Sequence, residues 1–163
     1  MANAPRPPID ADEALRTILE GTTRETGERF FEALVENVAR ALVARGAWVT
    51  EYQRERGRLK ALAFWLDGRF VPDYEYDVAG TPCEPVVERA SLIHIPDNVI
   101  RLFPKDPDLR AQDAVSYIGA PLRDSDGTVL GHLAVLDDRP MPEEPRLMSV
   151  FTIFAARATA EIT

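Results

Sequence analysis

A chain of 163 residues, 45% hydrophobic and 28% charged, lies in the range where one domain closes one core and a second full domain does not fit. Asp and Glu outnumber Lys and Arg 27 to 19, a formal charge of -8, the reverse of what a phosphate-neutralising surface needs, and this excludes nucleic acid as an expected partner. Apolar runs such as Leu133 to Leu136 and Ile153 to Ala156 are only a few residues long, so no membrane partner is expected either.

In chain order, Met1 to Pro8 is proline-rich, lacks the apolar middle of a secretory signal and reads as a disordered tail. Cys83 is the lone cysteine and cannot form an internal disulfide; with no secretion signal it fits a reducing compartment, so a cytoplasmic location is expected. A short helix is predicted from Asp10 to Glu20, stopped by Gly21, with Thr22 or Thr23 capping the next helix. The tail and this helix, residues 1–22, are expected to precede a domain over 23–163. A longer helix from Gly27 to Arg45 carries Phe31, Leu34, Val35, Val38 and Leu42 on one face.

From Ala47 the period changes. Ala47 to Tyr52 and Leu59 to Leu66 read as strands around the charged turn Gln53 to Arg58. Asp67-Gly68 signals a hairpin, and Phe70, Pro72, Tyr74 and Tyr76 then alternate along a strand that Pro72 places at an edge. Thr81-Pro82-Cys83-Glu84 predicts a helix to about Arg89, with the Thr81 hydroxyl as cap and Glu84 reaching back to it. Leu92 to Ile95 reads as a strand, Asp97 to Asp113 as a proline-broken helical segment, and Val115 to Leu122 with Thr128 to Leu136 as a hairpin. A last amphipathic helix, marked by Leu147, Val150, Phe151, Phe154, Ala158 and Ile162, meets no stop signal at Thr163, which suggests a piece of a longer protein.

Three runs carry a resemblance: Tyr76 to Glu84, Ser116-Tyr117-Ile118-Gly119-Ala120-Pro121-Leu122, and Asp126-Gly127-Thr128-Val129-Leu130-Gly131-His132-Leu133. With them the chain, from about Thr23 to Ile162, resembles a GAF domain, of the kind found upstream of sensor histidine kinases, nucleotide cyclases and enhancer-binding transcriptional activators. The resemblance implies an α+β, PAS-like (profilin-like) fold with a mostly antiparallel sheet of about six strands and helices on both faces, although a fold hosts many different sites. It also implies a ligand cavity closed by Thr81 to Val87 and His94 to Asp113. Tyr76, Thr81, Cys83, His94, Phe103 and Tyr117 are the candidate lining.

Cys83, at the start of a helix, is a candidate thiolate, against the ordinary reading of a small buried hydrophobe. It lacks the following His of a bilin-attachment motif, and the free methionine sulfoxide reductases among GAF relatives need more cysteines. His94, His132 and Cys83 match no metal-ligand spacing, so no metal is expected. Asp124 with Asp126, Asp137 with Asp138 and Glu143 with Glu144 read as solvated turn or linker charge. The aromatic set Phe64, Trp65, Tyr74, Tyr76, Phe103 and Tyr117 divides between core and cavity.

The expected function is a sensory or regulatory domain of a bacterial-type signalling protein, in a two-component or transcriptional system. It binds an unidentified small molecule, relays its state through the terminal helices to an effector domain in the same full-length chain, and performs no catalysis itself. No cofactor can be named. Tyr117 and Phe103 are expected on opposite sides of the cavity, with the Thr81-Pro82-Cys83 helix start favouring an anionic ligand group. Met148, Ile153, Ala156 and Ala160, beyond the core face of the last helix, predict a homodimer. The alternatives are a ligand-free dimerisation and spacer domain, and a thiol-dependent redox enzyme or sensor using Cys83.

Overall fold

A computed structural model describes residues 8–162, so the expected tail up to residue 7 lies outside the described residues. One sheet of seven strands organises the chain: β1 (Gly46–Gln53), β2 (Arg58–Leu66), β3 (Arg69–Phe70), β4 (Glu75–Asp77), β5 (Ile93–Ile95), β6 (Ser116–Arg123) and β7 (Val129–Asp137). Their order is β3-β2-β1-β7-β6-β5, with β4 also paired to β2, and every pairing is antiparallel.

The sheet is apolar on both faces, because side chains alternate along each strand. Ala47, Val49, Ala63, Ile118, Ala120, Leu122, Leu133 and Val135 face the helices α1 (Ala11–Thr22), α2 (Gly27–Ala41) and α6 (Pro145–Ile162). Their alternates Trp48, Leu59, Phe64, Tyr117, Ala134 and Leu136 meet a cover made of α3 (Cys83–Arg89), α4 (Val99–Leu102) and α5 (Pro107–Ala111). Phe30, Leu34 and Val35 of α2 are wholly buried on the helix side, each side chain stabilising by about 1.5–3 kcal/mol.

The first helix, expected outside the domain, is part of this core: Asp10 caps it by accepting from the amides of Asp12 and Glu13, and Ala11, Ala14 and Ile18 are buried. Helix α2 ends at Ala41 rather than Arg45. Val43 takes a left-handed φ of 51°, and the Val43 and Ala44 amides donate to the Arg40 and Ala39 carbonyls in a Schellman turn that closes the helix early. The strand expected through Phe70 to Tyr76 is broken into β3 and β4, since Pro72 donates no ladder hydrogen bond and Asp73 has a φ of 54°. The Thr81 cap does not form. Thr81 Oγ1 donates to the Val78 carbonyl at 2.7 Å, and Pro82 occupies the cap position of α3 without a side-chain bond. Asp137, expected to be solvated, is 1% exposed and accepts from the Arg45 amide at 3.0 Å and from Arg139 Nε at 3.3 Å.

At the centre, β1 and β7 pair along Gly46 to Val49, and beyond a bulge at Val49/Thr50 the backbones come so close that a Cβ on Gly131 would lie 1.8 Å from the Thr50 carbonyl oxygen. Backbone, unlike a flexible side chain, cannot yield cheaply. Gly131→Ala is therefore expected to destabilise the domain by about 2–4 kcal/mol, read as a lower urea midpoint. An unchanged midpoint would show that β1 and β7 can separate freely here.

Candidate functional site

The cover side of the sheet holds the polar and aromatic groups that a binding site needs. Alternation on β1 and β2 places Trp48 and Phe64 there. The Leu59–Tyr76 pairing of β4 with β2 puts Tyr76 on the same face, and the break at Pro72 and Asp73 swings Tyr74 over it. From the cover come Pro82 and Cys83 at the start of α3, and Asp106, Asp108, Leu109 and Gln112 along α5. These groups, with Leu136 beneath, enclose a void of about 20 Å³, room for roughly one water molecule.

A hydrogen-bond chain fixes the inner wall. Trp48 Nε1–H donates to Tyr76 Oη at 2.8 Å, and the Tyr76 hydroxyl hydrogen-bonds Cys83 Sγ at 3.2 Å. Tyr117 donates to the same sulfur at 3.3 Å. Burial pushes the Cys83 thiol up to about 11, outweighing the two tyrosine bonds that favour the thiolate, and burial likewise raises Tyr76 and Tyr117. The thiolate expected at a helix start is thus opposed by desolvation. On the outer wall Tyr74 donates to Asp108 Oδ2 at 2.5 Å, and Asp106 caps α5 by accepting from the Asp108 amide at 2.9 Å. Burial raises the Asp106 carboxyl.

Of the six candidates, Tyr76 and Cys83 line the void. Thr81 is buried just before Cys83, and Tyr117, wholly buried, stands behind the sulfur rather than at the void. Phe103 is half-buried against the cover cluster but outside the lining, so Tyr117 and Phe103 do not face each other across the cavity. His94 lies elsewhere. It pairs with Ile118, whose side chain belongs to the helix-side core, and its Nε2 hydrogen-bonds the Met141 carbonyl at 2.8 Å. Trp65 is also on the helix side, beneath the Arg40 guanidinium at 5.2 Å. Nor does the helix start favour an anion, because the carboxylates of Asp106 and Asp108 share the lining with Pro82 and Cys83. Sequence reasoning missed Trp48, Asp106, Asp108, Leu109, Gln112 and Leu136. Strand alternation marks Trp48, and Asp106-Pro107 is a helix-start signal; Gln112 has none.

His132, next to this wall, is fully buried with its ring 6.0 Å from Trp48. Thr50 Oγ1 accepts the His132 amide proton at 3.1 Å and hydrogen-bonds Nδ1 at 2.6 Å, while the buried Nε2 has no partner among the described residues. Among those residues no group of three or more His, Cys, Asp or Glu could hold a metal ion.

A two-faced antiparallel sheet with terminal helices on one side and a covered pocket on the other is the architecture that the GAF resemblance implies. The GAF domain family matches residues 26–160, and the chain belongs to it. The GAF domain of a phosphoenolpyruvate-protein phosphotransferase (ptsP) from Coxiella burnetii superposes with a TM-score of 0.75 at 19% identity, covering 93% of this chain and 92% of that one. The corresponding domain from Acinetobacter gives 0.73 at 16%, covering 99% and 94%. The fRMsr of Staphylococcus aureus, in complex with substrate, gives 0.76 at 10%, covering 98% and 100%. These likenesses are of fold. No curated protein sequence matches. No described helix is long and apolar enough to cross a membrane.

Burial pushes His132 down to about 3, so the folded domain keeps the ring neutral while the unfolded chain takes up a proton below about pH 6.5. The His132 contribution is therefore complete above that pH and is lost as pH falls toward about 3, with a slope of about 1.4 kcal/mol per pH unit in between. His132→Gln should reduce the acid-side slope of unfolding free energy by about one proton. Equal slopes for the two proteins would place a water-accessible, protonatable His132 in the folded state.

Proposed function

We propose that this GAF domain is the small-ligand-binding sensory module of a bacterial-type signal-transduction protein. Occupancy of the pocket displaces the cover segment 96–114, and the terminal helices relay the change to an effector domain elsewhere in the full-length chain. The observation that carries this reading is the void between sheet and cover, walled by four aromatic rings and polar groups, on the face opposite α1, α2 and α6. The effector belongs to a two-component or transcriptional system, and the protein acts in the cytoplasm. By their names, the similar domains from Coxiella and Acinetobacter come from phosphotransferases, which agrees with a module serving a larger protein.

The domain itself is not an enzyme. A thiol-dependent redox role has a structural neighbour in the Staphylococcus aureus fRMsr, but a buried thiol held up to about 11 is a poor nucleophile near neutral pH. A ligand-free dimerisation and spacer role is favoured by the small size of that void, about 20 Å³. Native mass spectrometry separates it from the sensory reading: the purified domain is expected to carry a small molecule that is lost on denaturation. A bare mass, together with a thermal midpoint that no cell-extract metabolite fraction raises, moves the assignment to the spacer.

The homodimer is proposed through α1, α2 and α6. Ile153 and Leu19 are 53% and 52% exposed, and Ala156 and Ala160 leave that side of α6 shallow. Light scattering at high micromolar concentration should return about twice the chain mass of 18.2 kDa. The monomer mass would remove the dimer.

A further inference from the structure

The pocket is chemically one-sided. Trp48, Phe64, Tyr74 and Tyr76 form an arc of rings along its wall, with successive centroids 5.4, 4.8 and 5.0 Å apart. The remaining polar lining, apart from the Cys83 thiol, is the Asp106 and Asp108 carboxylates and the Gln112 side-chain amide, with no Lys, Arg or His among the lining residues. Asp106 is only 7% exposed and forms no ion pair among the described residues. Gln112 Oε1 is buried with no donor. A buried carboxylate without a counter-charge and a buried amide oxygen without a donor are both unfavourable, and one small cation that also carries an N–H or O–H donor relieves both. An anion would meet two carboxylates instead, and the seven-residue α3 offers no compensating site.

We propose that this pocket binds an organic ammonium ion, its alkylated nitrogen held against the ring arc and its charge matched by Asp106, Asp108 and the Gln112 oxygen. The ring quadrupoles attract a weakly hydrated cation, and the net charge of -8 steers cations inward. The inference rests on the sensory reading and names the ligand class for the same pocket. The void is too small for such an ion in the closed state, so entry displaces α5, whose ties to the sheet are Leu109, the Tyr74–Asp108 bond and the Arg45 bond to the Gln112 carbonyl. The incoming cation gives Asp108 a partner as Tyr74 releases it.

The probes are choline, its neutral isostere 3,3-dimethyl-1-butanol and the anion 3,3-dimethylbutyrate, each titrated against the domain while the Trp48 indole N–H signal is followed by NMR, with Trp65→Phe assigning it. Choline should bind about tenfold or more tightly than the alcohol. Asp106→Asn, which keeps a capping side chain, should weaken choline about tenfold and leave the alcohol unchanged. Asp108→Asn is the second variant if the first does not fold. Equal or tighter binding of the alcohol or the anion overturns the cationic assignment and leaves the pocket standing. If none of the three moves the Trp48 signal at high millimolar concentration, the pocket takes no organic ammonium ion and the cationic assignment is overturned, while the sensory reading is decided separately by the native mass spectrum and the extract titration.

Discussion

The pairing of β1 with β7 is the joint on which the rest of the molecule depends. Gly46 to Val49 lie against Leu133 to Leu136, and this short ladder is where the β1–β4 half of the sheet meets the β5–β7 half. Two further contacts extend it: the Arg45 amide to the Asp137 carboxylate on one side, and the Thr50–His132 pair on the other. The partners are far apart in sequence, so closing the joint costs chain entropy that only the packed faces return. Because β1 lies mid-sheet, Trp48 and Val49 point into two different cores. One strand therefore anchors the helix layer and the pocket wall at once.

The inner pocket wall is held by hydrogen bonds that run through side chains from four elements: Trp48 of β1, Tyr76 of β4, Cys83 of α3 and Tyr117 of β6. The indole can only donate and Tyr117 donates to the sulfur, so both ends of the network have a fixed direction. Such a network fixes the rings without filling the space in front of them. The acceptors of the outer wall, by contrast, belong to the short α5. A wall fixed by four elements opposed by one borne on the five-residue α5 is a geometry that opens on one side only.

The element order was legible in the sequence because it depends on local signals. Asp67-Gly68 turns as expected, with φ values of 51° and 85°, and the core stripe of α2 follows from its spacing. The misplaced features are those decided by distant partners. His94 reads like any strand residue, and only its pairing with Ile118 sends it away from the pocket. Thr81 carries a good capping pattern, yet the Val78 carbonyl takes its hydroxyl. Asp137 looks like linker charge beside Asp138, and burial against Arg45 and Arg139 could be seen only once β7 was placed in the sheet. Three of the missed lining residues share that reason: Asp106, Asp108 and Gln112 become a set only when α5 folds over β1 and β2.

The same contrast explains how the pocket cover is connected to the helix layer. Arg45, in the segment that leaves α2, sends Nε and Nη2 to the Asp67 carboxylate, both at 2.9 Å, while Nη1 reaches the Gln112 carbonyl at the end of α5. The fork geometry of the guanidinium makes these bonds mutually dependent, since one planar group serves the α5 end and the β2–β3 turn together. Charge strengthens the arrangement, because Asp67 is held below the usual carboxylate range chiefly by its bond to Arg45. Moving α5 outward therefore pulls on a residue whose backbone amide is tied to Asp137 at the end of β7. Through that residue the cover reaches both α2 and the β1–β7 joint, a physical route from the pocket to the opposite face of the sheet.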